Sequence, residues 1–127
     1  MDDYEAIRQL TARYNFAFDN LDIEGWVNCF TEDAFFHRSN ADRSYKGSDE
    51  LRQLITEFSE TFNGRHITTD FQIHLSGDTA KMSCYLQLLD RGNGHKVGMF
   101  VTYDDELRKV NGEWKFSSRK LLADEII

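Results

Sequence analysis

The hydrophobic period of this chain changes once, and that change limits the fold more than any other feature. Over most of the first half, apolar residues recur at the helical spacing of three and four; from Arg65 onward they recur every second residue. RHITTDFQIHL, TAKMSCYLQLLD, HKVGMFVTYDDELRKV and GEWKFSSRKLL read as long strands, and SGD, RGNG and VNG between them are hairpin punctuation. Helices first and a meander of long antiparallel strands afterwards give an α+β fold class. Such a sheet can bend around the helices and leave an apolar pocket, open at one end, between the layers.

The helical half divides further. Tyr4, Ile7, Leu10, Tyr14 and Ala17, widened by Phe18, form one stripe, so a first helix is expected from Asp3 to Phe18. DNLD is a turn, and Asp22 is placed to cap a short second helix, IEGWVNCF, which would bury Trp26 and Phe30. AFFH is a short strand. SYKGSDELRQLITEFSETF reads as a helix capped by Ser48 or Asp49, with Leu51, Leu54, Ile55 and Phe58 facing inward. The polar stretch HRSNADRSYKG reads as a loop. At 127 residues, with ten Phe and five Tyr, the chain suits one domain with an aromatic core.

Charge and composition exclude several classes of partner. A net charge of −7 argues against nucleic acid or an anionic membrane surface. No apolar run reaches the length of a bilayer span, and MDDYEAI lacks the apolar core of a secretory signal. Cys29 and Cys84 are isolated and fit neither a disulfide framework nor a metal knuckle. A reduced, cytoplasmic setting is therefore expected. Neither a Gly-rich nucleotide loop nor a helical histidine pair occurs, so no cofactor and no metal are expected.

Candidate chemistry centres on YNFAFD, residues 14–19. Asp19 ends the first helix, where the macrodipole disfavours a negative charge, so its carboxylate should seek a cation or a donor. A histidine would serve; an Asx turn onto local backbone N–H groups is the alternative. The histidines are His37, His66, His74 and His95. With Ile67, Phe71, Ile73 and Leu75 on one face, strict alternation puts His66 with Thr68, Asp70, Gln72 and His74 on the polar face. A bulge near Thr68 and Thr69 would reverse that. Val97, Met99, Val101, Tyr103, Asp105 and Leu107 share a parity, so Asp105 must be paired with a cation or have a raised pKa. In the last strand Trp114, Phe116 and Ser118 share a face, and Arg119 falls on the other.

The order ARYNFAFDNLDIEGWVNCFTEDAFF, YKG before a helix, RHITTDFQI, GDTAKMSCYL and TYDDELRKVNGEWKFSSR resembles the SnoaL-like branch of the nuclear-transport-factor-like superfamily. That branch includes scytalone dehydratase and bile acid 7α-dehydratase. The resemblance covers nearly the whole chain. It implies a single domain over residues 1–127, a cone-shaped α+β barrel whose N-terminal helices pack on a curved, mostly antiparallel sheet enclosing a pocket. It also implies a dyad in which His66 is the general base and Asp19 orients it, with Tyr14 assisting a substrate oxygen. Placing His66 in the pocket requires the bulge that strict alternation omits.

Departures narrow the match. Arg38 stands near the position of the ketosteroid isomerase base, and Phe18 replaces the tyrosine that precedes the helix-one aspartate of scytalone dehydratase. Arg38 and Asp105 do not have the spacing of the limonene epoxide hydrolase relay. Phe16, Phe18, Trp26, Phe36, Phe58, Met99 and Trp114 are candidate walls for a ligand or, alternatively, plain core, with Arg38, Tyr103 and Asp105 as further candidates for substrate binding. The function expected is a cofactor-independent lyase of dehydratase type, or an isomerase, acting on a small hydrophobic molecule, cyclic ones included. The alternatives are a non-catalytic binding module and an oligomerisation domain. Relatives of this kind form homo-oligomers, dimers or trimers, and TAKMSCYLQLLD is apolar on both faces, as a self-association surface would be.

Overall fold

The single change of period is the boundary between a helical layer and a sheet. The computed structural model describes residues 1–124, so the last three residues of the expected 1–127 domain lie outside it. Helix α1 (Asp3–Asp19) is capped by Asp2, whose Oδ1 accepts from the Glu5 N–H at 2.8 Å. It buries Ile7, Leu10, Thr11, Tyr14, Ala17 and Phe18, while Tyr4, at the first end of the stripe, is exposed. Leu21, at φ 55°, turns the chain out of the helix. Asp22 then caps α2 (Ile23–Val27) through the Gly25 N–H. This helix stops short of the expected IEGWVNCF because Phe30 already belongs to strand β1 (Phe30–Arg38).

The polar stretch expected to be a loop contains strand β2 (Arg43–Lys46), paired antiparallel to β1 with Tyr45 opposite Phe36. Tyr45, 2% exposed, is the single apolar anchor that makes the pairing worthwhile. Gly47, at φ +80°, turns β2 directly into α3 (Gly47–Phe58). Neither Ser48 nor Asp49 caps this helix: Lys46 holds the cap position, and its N–H donates to Glu50 Oε1 at 3.2 Å.

Strands β3 (Gly64–Ser76), β4 (Thr79–Asp90), β5 (Lys96–Val110) and β6 (Glu113–Ala123) form the meander, joining β1 and β2 in one six-stranded sheet of order β2-β1-β6-β5-β4-β3. Only β1 and β6 run parallel. The sheet curves around the helices as expected, and it stays open because β2 and β3 end it as edges. A short 3₁₀ turn, Arg91–Asn93, joins β4 to β5.

Three extra residues in the ladders decide which side chains face the helices. In β3 the pairing shifts between Thr69 and Gln72, where Asp70 adopts φ 60°. His66 therefore faces inward at 9% exposure, although Phe71, Ile73 and Leu75, of opposite parity, also pack on the core. In β6, Ser118 pairs with Glu106 but Phe116 with Leu107, so Ser117 is the extra residue. Arg119 is consequently fully buried beside Phe116, contrary to strict alternation. In β5 the shift at Gly98 leaves Met99 inward and turns Val97 out, 42% exposed, against the shared parity expected.

The space between the layers is filled largely by aromatic rings. Trp26 lies 4.9 Å from Phe30, 5.3 Å from Phe18 and 5.6 Å from Tyr14 between ring centres, all tilted or edge-to-face. Burying each such side chain contributes about 1.5–3 kcal/mol.

Candidate active site

The last residue of α1 and the third of β3 meet. Asp19 Oδ1 lies 2.6 Å from His66 Nδ1, and its carboxylate also accepts from the His66 backbone N–H at 3.0 Å (Oδ2) and 3.2 Å (Oδ1). The Asx-turn expectation is thereby overturned, since the side chain reaches across the layers instead of onto its own turn. One helical step earlier on the same face, Asn15 Nδ2 donates to Thr68 Oγ1 at 3.0 Å, fixing the docking of α1 on β3. Against an ionised carboxylate, which only accepts, the proton of this contact would lie on Nδ1, and Nε2 is the ring nitrogen outside it. The His66 ring is boxed by Phe18 at 5.1 Å, Phe62 at 5.8 Å and Tyr14 at 6.2 Å.

The same ring forms part of the wall of a cavity of about 110 Å³. Tyr14, Phe18, Trp26, Phe36, Arg38, Phe58, Met99 and Tyr103, all expected from the sequence, line it with His66. Leu54, Phe62, Leu88 and Leu121 line it too; the helical pattern puts Leu54 inward, and no sequence signal singles out the other three. Burial separates floor from rim. Tyr14, Phe18, Trp26, Phe36, Leu54, His66, Tyr103 and Leu121 are buried, whereas Arg38, Phe58, Phe62, Leu88 and Met99 are half-buried.

Three expected wall residues do not reach the cavity. Trp114 is buried elsewhere, its indole Nε1–H donating to Asp3 Oδ1 at 2.9 Å. Phe16, 72% exposed, borders an outer groove between α1 and β3. Asp105 lies behind the cavity lining in an ion pair with Arg119, Oδ1 to Nε at 3.0 Å, both residues essentially inaccessible. Asp19 itself sits behind His66, on the outer-groove side.

The pair behind the floor shapes its electrostatics. The flat face of Arg119 lies over Tyr103, 3.4 Å from the ring centre, and near Tyr14 at 4.5 Å. Burial pushes Asp105 up to about 7 against the pull of Arg119. Burial also raises Tyr103 and Tyr14, with Arg119 opposing it in both, so the two hydroxyls stay protonated donors at neutral pH. Arg119 escaped strict alternation, but a signal was present: Phe116 and Leu121, both apolar, stand an odd number of residues apart, which only a bulge reconciles with one face.

Among the described residues no group of three His, Cys, Asp or Glu side chains is placed to hold a metal ion. No helix among them is long and apolar enough to cross a membrane.

Comparison with known proteins fits this architecture. The SnoaL-like domain family matches residues 1–120. No curated protein matches the sequence. Among solved structures, a protein of unknown function from Mycobacterium tuberculosis is 29% identical over 98% of this chain and 73% of its own, with a TM-score of 0.92. A cystatin-like-fold protein of unknown function from Nostoc punctiforme is 28% identical, over 98% and 93%, with a TM-score of 0.88. A candidate scytalone dehydratase from Novosphingobium aromaticivorans shares the fold at 21% identity, over 97% and 85%, with a TM-score of 0.84.

Proposed function

Because the chain belongs to the SnoaL-like domain family, we propose that it is a cofactor-independent lyase of dehydratase type, or an isomerase, acting on a small hydrophobic molecule. The observation that carries this reading is the 2.6 Å contact between Asp19 and a histidine that also walls an apolar cavity. Asp19 holds the Nδ1–H and so presents the Nε2 lone pair as a general base. Nε2 takes a proton from a carbon of the bound molecule, and the imidazolium that forms is stabilised by the carboxylate. The electrons move toward a carbonyl oxygen, where a Tyr14 or Tyr103 hydroxyl donates to the developing charge. In an elimination the imidazolium returns its proton to a departing hydroxyl, releasing water; in an isomerisation it returns it to a second carbon. Acid–base help of this kind is worth typically about 10²–10⁴ in rate.

The test is proton–deuterium exchange at the α-carbons of small cyclic ketones in heavy water. The wild type should accelerate exchange, and His66→Gln and Asp19→Asn should lose most of the acceleration. Binding without exchange in the wild type would replace the enzyme with a binding module of the same fold.

A second observation favours self-association. Tyr85, Phe100 and Leu122, between 41% and 56% exposed, share the outer sheet face; Thr102 pairs with both Tyr85 and Leu122. In this reading two or three copies pack through that face, and Tyr85→Glu lowers the mass measured by light scattering.

A further inference from the structure

We infer that the molecule this cavity takes is a small carboxylic acid with a single ring, its carboxylate held by Arg38 at the rim and its ring among the aromatic side chains below. The inference rests on the reading of the cavity as a ligand site and adds the class of ligand.

Charge is the first ground. The chain carries −7 overall, yet the cavity lining contains no Asp or Glu. Arg38 is its sole permanent charge. Among the described residues Arg38 forms no ion pair and no side-chain hydrogen bond. Arg43 and Arg52, nearby in sequence, are both paired with carboxylates.

Geometry is the second. The Arg38 guanidinium lies over the Phe58 ring, its carbon 5.0 Å from the ring centre. The guanidinium carries five N–H donors in a fixed fork. Half-buried beside a ring and without a carboxylate partner, it is suited to a planar acceptor with two oxygens. Arg38 also shares the inward parity of Ala34 and Phe36 on β1, so the strand places it on the cavity side of the sheet.

Size is the third. An apolar cavity of about 150 Å³ takes up benzene. The 110 Å³ here is of that order, so the enclosed part seats one ring and anything larger must extend past the rim. A ring seated on the floor places its polar end at the rim, where Arg38 stands, and a ring carbon or its neighbour near His66.

The experiment titrates benzoate, benzyl alcohol and acetate into the wild type, Arg38→Gln and Arg38→Lys, followed by amide chemical shifts, which also report folding. Benzoate should bind the wild type roughly tenfold or more tighter than benzyl alcohol, the scale of a charge-assisted hydrogen bond. Arg38→Gln should bring the two within about twofold of each other, and Arg38→Lys should retain part of the preference. Acetate should bind far more weakly than benzoate. Equal affinity for the alcohol, a preference that survives Arg38→Gln, acetate as tight as benzoate, or no binding of benzoate at all would each overturn the inference. The exchange experiment above is read separately. An enzyme that exchanges neutral ketones but ignores benzoate refutes this inference alone, and a protein that prefers benzoate without exchange refutes the catalytic reading alone.

Discussion

Arg119 lies over Tyr103, its guanidinium carbon 3.4 Å from the ring centre, and its ion-pair partner, Asp105, is as deeply buried as itself. A full charge thus stands directly behind the floor of the cavity. The two tyrosines that would meet a substrate oxygen are fixed against it, which ties the polarity of the site to the integrity of the core.

Removing one member of that pair should be costly. Arg119→Met leaves the Asp105 carboxyl buried without its cation, a change worth roughly 3–5 kcal/mol of stability at about pH 8. Replacing both, as Asp105→Leu with Arg119→Met, should recover most of the loss. Urea denaturation of the three proteins measures both effects, and a double variant no better than the single one would refute the pairing argument.

The same carboxyl gives stability a distinctive pH dependence. Its pKa is about 7 in the folded protein and lies in the ordinary carboxylate range when unfolded, so the folded state binds the extra proton. That contribution is fully present below about pH 4 and is lost as pH rises through about 7. Between pH 5 and 8 the wild type should therefore lose stability faster than Asp105→Asn does. Parallel curves for the two proteins over that range would contradict it.

The bulge in β3 depends on a residue at φ 60°. Asp70→Gly meets no steric penalty there and should leave stability unchanged or improve it. Asp70→Val should cost about 1–2 kcal/mol, because a branched side chain is poorly tolerated in the left-handed region. Thermal denaturation of the two variants ranks them, and an equal midpoint for both would show that the ladder has another way to absorb the extra residue.

The thiols should be inert in the native protein. Burial pushes Cys29 and Cys84 each up to about 11. An aromatic disulfide reagent at pH 8 should label neither until denaturant is added and both afterwards. Prompt labelling under native conditions would mean that one of them opens to solvent.

The sequence made the large divisions legible and missed the small offsets. The shift from helical to alternating spacing marks the boundary between layers, and the Asp22 cap and the inward Asp105 follow from local chemistry alone. What alternation misplaced, His66, Val97 and Arg119, lies near an inserted residue, Asp70, Gly98 or Ser117, and one such insertion reverses every parity beyond it. Strand β2 was hidden for a different reason: its formation rests on tertiary packing of a single residue, Tyr45, within an otherwise polar segment. Trp114 shows the limit of composition, since a large aromatic ring can bury itself against Asp3 as readily as it can wall a cavity.

The double grip of Asp19 on position 66 has a consequence for how such a domain changes over time. One contact is with the imidazole and the other with the main chain, and only the first depends on the residue type. A lineage can exchange the imidazole for an inert side chain and still keep the joint between helix and sheet closed. Catalyst and carrier are then neighbours separated by one codon, and the scaffold is indifferent to which it supports.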